Sequence, residues 1–233
     1  MTAIFKREFK SYFISPLGYV FLAIFLFFEG TFFSNLFGYG SPNNEIIFPS
    51  LSMVVVLVTP VITMRLLSEE RRQKIDQALL TAPVSVGGIV LGKFLAAVAV
   101  YALALAPVVI FEAIVTLIST PNWLIFLNAW LGAMLIGAAL IAIGMFISSL
   151  TEGPIISCIL TLIAFLVLMV LPSLASLVGV EWITAAANKI AFVNLFSAFT
   201  SSIFSIIDVV YLLSIIAVFV FLSTRMVERR RWS

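Results

Sequence analysis

The sequence predicts an all-α integral membrane protein of six transmembrane helices, with a helix along the membrane interface at its N-terminus. Three observations carry that prediction. The chain is 63% hydrophobic with only 10% charged residues and a mean hydropathy of +1.22, against the roughly 45–50% apolar content of soluble domains. Six apolar segments reach the roughly 20 residues needed to cross a hydrocarbon core about 30 Å thick. Charged residues gather in a few places between them, so the water-facing surface is small.

The start is organised before any span begins. Phe5, Phe9 and Tyr12 or Phe13 recur at helical spacing, and Lys6, Arg7, Glu8 and Lys10 fill the other positions. That pattern suits a helix lying along the cytoplasmic interface. A removable signal peptide is not expected, because the apolar run that follows exceeds an h-region and no A-x-A-like site closes it.

The spans are placed at Leu17 to Phe37, Phe48 to Leu67, Ile89 to Ser119, Trp123 to Ser148, Pro154 to Val178 and Ile206 to Thr224. The third is long enough to tilt, or to kink at Pro107, where one ladder hydrogen bond is missing. Orientation follows from Lys and Arg, which stay on the cytoplasmic side. Of the 13 basic residues, all but Lys189 fall in three groups: before the first span, around the connection after the second, and after the sixth. Six crossings put all three groups, and hence both termini, inside.

The connection from Met64 to Ser85, MRLLSEERRQKIDQALLTAPVS, is the one long cytoplasmic loop. Within it Ile75, Ala78 and Leu79 share a helical face, Glu70–Lys74 and Arg72–Asp76 are spaced i,i+4, and Pro83 limits the helix. Either a solvated anchor or a docking helix fits this pattern. The second cytoplasmic turn, Ser149 to Gly153, is short. Between Gly179 and Ser205 polar residues break an apolar stretch too interrupted to span, and irregular backbone there requires cover by protein.

This order of elements, with SPLGYVFLAIF at Ser15–Phe25 and TPVITMRLLSEERRQKIDQALLTAPVSVGGIVLGK at Thr59–Lys93, resembles the type-2 ATP-binding-cassette (ABC) exporter permeases, and the gliding-motility-associated subfamily among them. The resemblance implies one permease domain over residues 1–233, with the loop helix acting as a coupling helix and an outer re-entrant segment before the last span. It implies ATPase-coupling roles for Glu70, Arg71, Arg72, Ile75, Asp76 and Leu79, and for Leu150, Thr151 and Glu152 in the second turn. Its implied partners are ABC ATPase subunits, a second permease, an extracytoplasmic accessory protein and membrane lipid, not nucleic acid. The implied location is a bacterial or archaeal inner membrane, with ATP and magnesium on the ATPase and no cofactor on this chain.

Composition bears on chemistry as well. With no histidine and one cysteine, Cys158, histidine-based acid–base relays, histidine-activated nucleophiles and cysteine metal sites are unavailable. Gly87 to Lys93, GGIVLGK, mimics a phosphate-binding loop. Phe94 stands where Ser or Thr would hold magnesium, and the segment enters a span instead of linking strand to helix.

Glu29 and Glu112 lie inside predicted spans, where an ionisable group marks a functional candidate. Glu29, about 18 Å into the first span, is a candidate for the transport path; Glu112, about 34 Å along the third, is expected at a solvated outer interface. The stripe Phe21, Phe25, Phe28 and Phe32 is read as packing or lipid contact, and Ala129, Ala133 and Gly137 as a close-approach seam. Two rival functions stand beside ATP-driven transport. One is a force-transmitting subunit of a motility or envelope-assembly complex; the other is an ion-coupled secondary transporter using Glu29.

Overall fold

The computed structural model describes residues 2–38, 47–72, 85–117, 122–178, 191–200 and 206–231. Among them the regular structure is all helical: α1 (Thr2–Ile14), α2 (Pro16–Gly38), α3 (Ile47–Thr63), α4 (Ser68–Arg72), α5 (Val86–Thr116), α6 (Trp123–Leu150), α7 (Pro154–Val178), α8 (Phe192–Thr200) and α9 (Ile206–Arg231). Five of these, α2, α5, α6, α7 and α9, are long and apolar enough to cross a membrane. The chain is an all-α integral membrane protein.

The remaining expected span, α3, is shorter than predicted. Its helix ends at Thr63 and a turn occupies Met64 to Leu67, so the span placed at Phe48 to Leu67 loses its last turn. At 17 residues it stands at the short end of what reaches across a bilayer. The apolar character of Leu66 and Leu67 concealed the break, since both remain buried after the helix has stopped. Elsewhere α7 has the predicted limits, α5 runs from Val86 to Thr116, three residues before the predicted span at each end, and α9 departs most, continuing to Arg231.

The hub of the bundle is α6, which packs against α3, α4, α5, α7, α8 and α9. Its sequence explains the position. Ala129, Gly132, Ala133, Gly137, Gly144 and Ser148 leave its surface nearly flat, so neighbours approach its backbone. A Cβ at Gly137 would collide with the Tyr101 ring of α5, one at Gly132 with Phe199 of α8, and one at Gly144 with Thr63 of α3. The small-residue seam therefore joins helices within one chain. Tyr101 uses the closeness to donate its hydroxyl to the Ala133 carbonyl at 3.0 Å.

The buried face of α5 carries Ala97, Tyr101, Ala104, Val108, Glu112 and Val115, a sustained three-and-four spacing. Glu112 belongs to this stripe and is buried at 3% exposure. The expectation of a solvated Glu112 is thus corrected: distance along the helix placed it near an interface, but its azimuth turns it into the protein. On α2, Phe21 and Phe25 are fully buried and Phe28 is exposed, so the phenylalanine stripe divides between protein packing and the outer surface.

Within the expected re-entrant stretch, the described part is α8. It is nine residues long and lies on α3, α6 and α7. Asn128 of α6 ties it down, donating from Nδ2 to the Phe199 carbonyl at 2.9 Å. Residues 179–190 and 201–205 lie outside the described residues.

Candidate functional site

The candidate site forms where α3 stops. Helix termini leave backbone groups without intrahelical partners, and here a side chain from a distant helix takes them. Ser148 Oγ accepts from the Leu67 N–H at 3.2 Å and the Ser68 N–H at 3.1 Å, and donates to the Met64 carbonyl at 3.3 Å. Ser68 Oγ donates to the same carbonyl. Ser148 and Ser68 are both fully buried, so the break in α3 is stitched directly to the last turn of α6 inside the protein.

One turn onward the two predicted coupling elements meet. Arg71 of α4 forms an ion pair with Glu152, and its Nη1 donates to the Leu150 carbonyl at 3.4 Å. Thr151 is buried, its hydroxyl facing the Ile147 and Ser148 carbonyls at 3.4 Å and closing the end of α6. Leu150 and Glu152 are exposed beside it. The structure therefore brings together Arg71, Leu150, Thr151 and Glu152 of the predicted coupling residues. Glu70 and Arg72 share the short helix α4, and Ile75, Asp76 and Leu79 lie outside the described residues.

The same turn is anchored on its other flank by α1. Tyr12 donates to the Ile62 carbonyl at 3.2 Å, Arg65 Nη1 donates to Ser15 Oγ at 2.8 Å, and Arg65 pairs with Glu69. Burial pushes the Tyr12 phenol above the ordinary phenol range, and the Glu8 carboxylate adds to the effect. Glu8, Ser11, Tyr12, Arg65, Leu66 and Glu69 line a cavity of about 30 Å³, room for about one water. These contacts were not foreseen. Only Arg65–Glu69, spaced i,i+4, was legible in the sequence.

Glu29 lies elsewhere, inside the bundle. It is 0% exposed, and neither carboxylate oxygen has a hydrogen-bond partner among the described residues. The Phe25 ring, one turn before it, meets the Tyr101 ring edge-on at 5.9 Å. A buried carboxyl without partner is costly to the fold. Within this chain it is enclosed by protein.

Residues 5–168 match the model of a family described as ABC-2 family transporter protein. The chain belongs to the ABC-2 transporter family. No curated protein matches it. The matched region runs from α1 through most of α7 and so contains both joined elements, the α1 anchor and Glu29. Membership makes the chain a permease subunit of an ABC transporter and implies partnership with ABC ATPase subunits.

In this ABC-2 permease the phosphate-loop mimic has a structural use. Ser85 caps α5, its hydroxyl accepting from the Gly88 N–H at 3.3 Å. Lys93 is buried and pairs with Glu8 at 3.5 Å. Its ammonium thus belongs to the contact between α1 and α5 and not to an open phosphate cradle.

Proposed function

We propose that this permease is driven by a separate ATPase that bears on one composite surface, built from Ser68–Arg72 and Leu150–Glu152. The Arg71–Glu152 ion pair carries this reading. Elements that begin separately in sequence are linked there, so a push on either is shared by α3, through the turn that Ser148 stitches, and by α6. Because α6 touches six other helices, load entering at Leu150 reaches most of the bundle. Closure of the ATPases would then exchange inward-open and outward-open arrangements.

The finer features follow from the basic-residue distribution and the resemblance of Thr59–Lys93 to gliding-motility-associated permeases. The 233 residues act as one permease domain in a bacterial or archaeal inner membrane, with both termini cytoplasmic. Two permease copies, identical or homologous, surround an export route, with ATP and magnesium on the ATPases and an extracytoplasmic accessory protein as a further partner. Transmission of force in motility or envelope assembly uses the same surface with a different load. A second reading, ion coupling, is favoured by the enclosed Glu29, whose carboxylate oxygens have no hydrogen-bond partner among the described residues.

The test is co-purification with the partner ABC ATPase. Arg71→Glu and Glu152→Arg, each singly, should reduce recovery of the complex and its ATP turnover, and the double exchange should restore part of both. Wild-type recovery in both single variants would remove the pair from the coupling surface. Ion-driven transport by the chain without any ATPase would favour the second reading.

A further inference from the structure

One face of α1 packs and the other does not. Phe5, Glu8, Phe9 and Tyr12 turn toward the protein, while Lys6, Arg7 and Lys10 are exposed, with Ile14 exposed beyond them. Arg7 pairs with Glu8. Lys6 and Lys10 have no ion pair among the described residues.

A second basic group lies at the same end of the bundle. Lys93 near the start of α5 meets Glu8 of α1, and a Cβ at Gly87 would lie 3.9 Å from the Thr224 methyl of α9. Helices α1 and α9 therefore both lie against the first turns of α5. The residue after Thr224 is Arg225, whose guanidinium sits 5.1 Å over the Phe221 ring while bonding Glu228 at 2.9 Å. Arg229, one turn on, is exposed.

What adjoins these charges decides what they face. Phe221 and Leu222 lie within one turn of Arg225 and are exposed, and Ile14, Tyr19 and Val20 are exposed where α1 passes into α2. Basic side chains directly beside an outward apolar and aromatic belt stand at the level where a bilayer passes from acyl chain to headgroup. A soluble protein docking there would leave the belt without an apolar partner. We propose that Lys6 and Lys10 of α1, with Arg225 and Arg229 of α9, form a binding surface for the headgroups of anionic phospholipids.

The full chain, in nanodiscs of equal parts phosphatidylcholine and phosphatidylglycerol, is released into native mass spectrometry and its retained lipids are counted. Retained phosphatidylglycerol should exceed phosphatidylcholine by about fivefold or more, the worth of one basic side chain at an anionic surface, and the excess should shrink as salt is raised. That salt dependence is read on the wild type and needs no variant. K6Q/K10Q/R225Q/R229Q should bring the two lipids to parity, whereas K6R/K10R should keep the excess. Parity in the wild type, a salt-independent excess, or an undiminished excess in the glutamine variant overturns the proposal. It is also overturned if that variant keeps its lipid preference but loses the ATPase in pure phosphatidylcholine, because the face would then dock protein.

Discussion

The Ser148 hydroxyl accepts the backbone N–H of Ser68 at 3.1 Å across 80 residues of sequence. Together with the Leu67 N–H it accepts and the Met64 carbonyl it bonds, this one side chain replaces the helical ladder that α3 gives up. Removing the oxygen would leave buried backbone donors without a partner, at a cost of about 1–3 kcal/mol. Ser148→Ala should therefore lower the unfolding midpoint of the purified permease, and ATP turnover of the assembled complex should fall more than the stability loss explains. An unchanged midpoint would mean that the turn reorganises without Ser148.

Much of this architecture was legible from apolar run length. The fifth span was placed at Pro154 to Val178 and the helix has the same limits, because Gly153 and Pro154 mark its start and no charged residue interrupts it. The end of α3 was not legible, since Leu66 and Leu67 continue the apolar run and the side chain that bonds the turn after it lies on α6. In the sequence Ser148 was visible only as the small last residue of the predicted fourth span. The site divides in the same way: Arg71 and Glu152 were singled out separately by charge and resemblance, but their pairing depends on how α3 and α6 pack. Glu112 shows the converse failure, for depth along a helix was inferred where facing direction decided its burial.

Tyr12 provides a pH-dependent test of the α1 anchor. Its phenol is held above the ordinary value of 10.0 by burial first and by Glu8 second. The folded state therefore keeps a proton that the unfolded chain releases near pH 10, and the Tyr12 contribution is complete below that pH and is lost progressively as pH rises above it toward the raised folded value. Tyr12→Phe should also forfeit the hydrogen bond to the Ile62 carbonyl, worth about 0.5–1.5 kcal/mol. Thermal unfolding from neutral pH to about pH 11 should show a lower midpoint at neutrality and a shallower alkaline decline in the variant. Parallel curves would remove Tyr12 from the anchor.

Glu29 separates stability from function. Glu29→Leu replaces two buried oxygens, without a hydrogen-bond partner among the described residues, with apolar atoms, so the fold should hold its stability or gain up to about 1–3 kcal/mol. If the carboxyl serves the transport cycle, ATP turnover of the complex should nevertheless drop, as expected where a functional group is kept at the expense of stability. A stabilised variant with wild-type turnover would reduce Glu29 to a packing residue.

Photo-cross-linking shows whether Ser68–Arg72 and Leu150–Glu152 receive the ATPase as one surface. A photoreactive residue is placed at Glu69, at Glu152, or at exposed Asn122, which caps the opposite end of the 28-residue α6, about 42 Å away at about 1.5 Å per residue. In the intact complex, positions 69 and 152 should each yield an adduct with the same ATPase chain, and position 122 should yield none. No adduct from either 69 or 152, with the complex still assembled and hydrolysing ATP, would mean that the ATPase docks elsewhere on the permease.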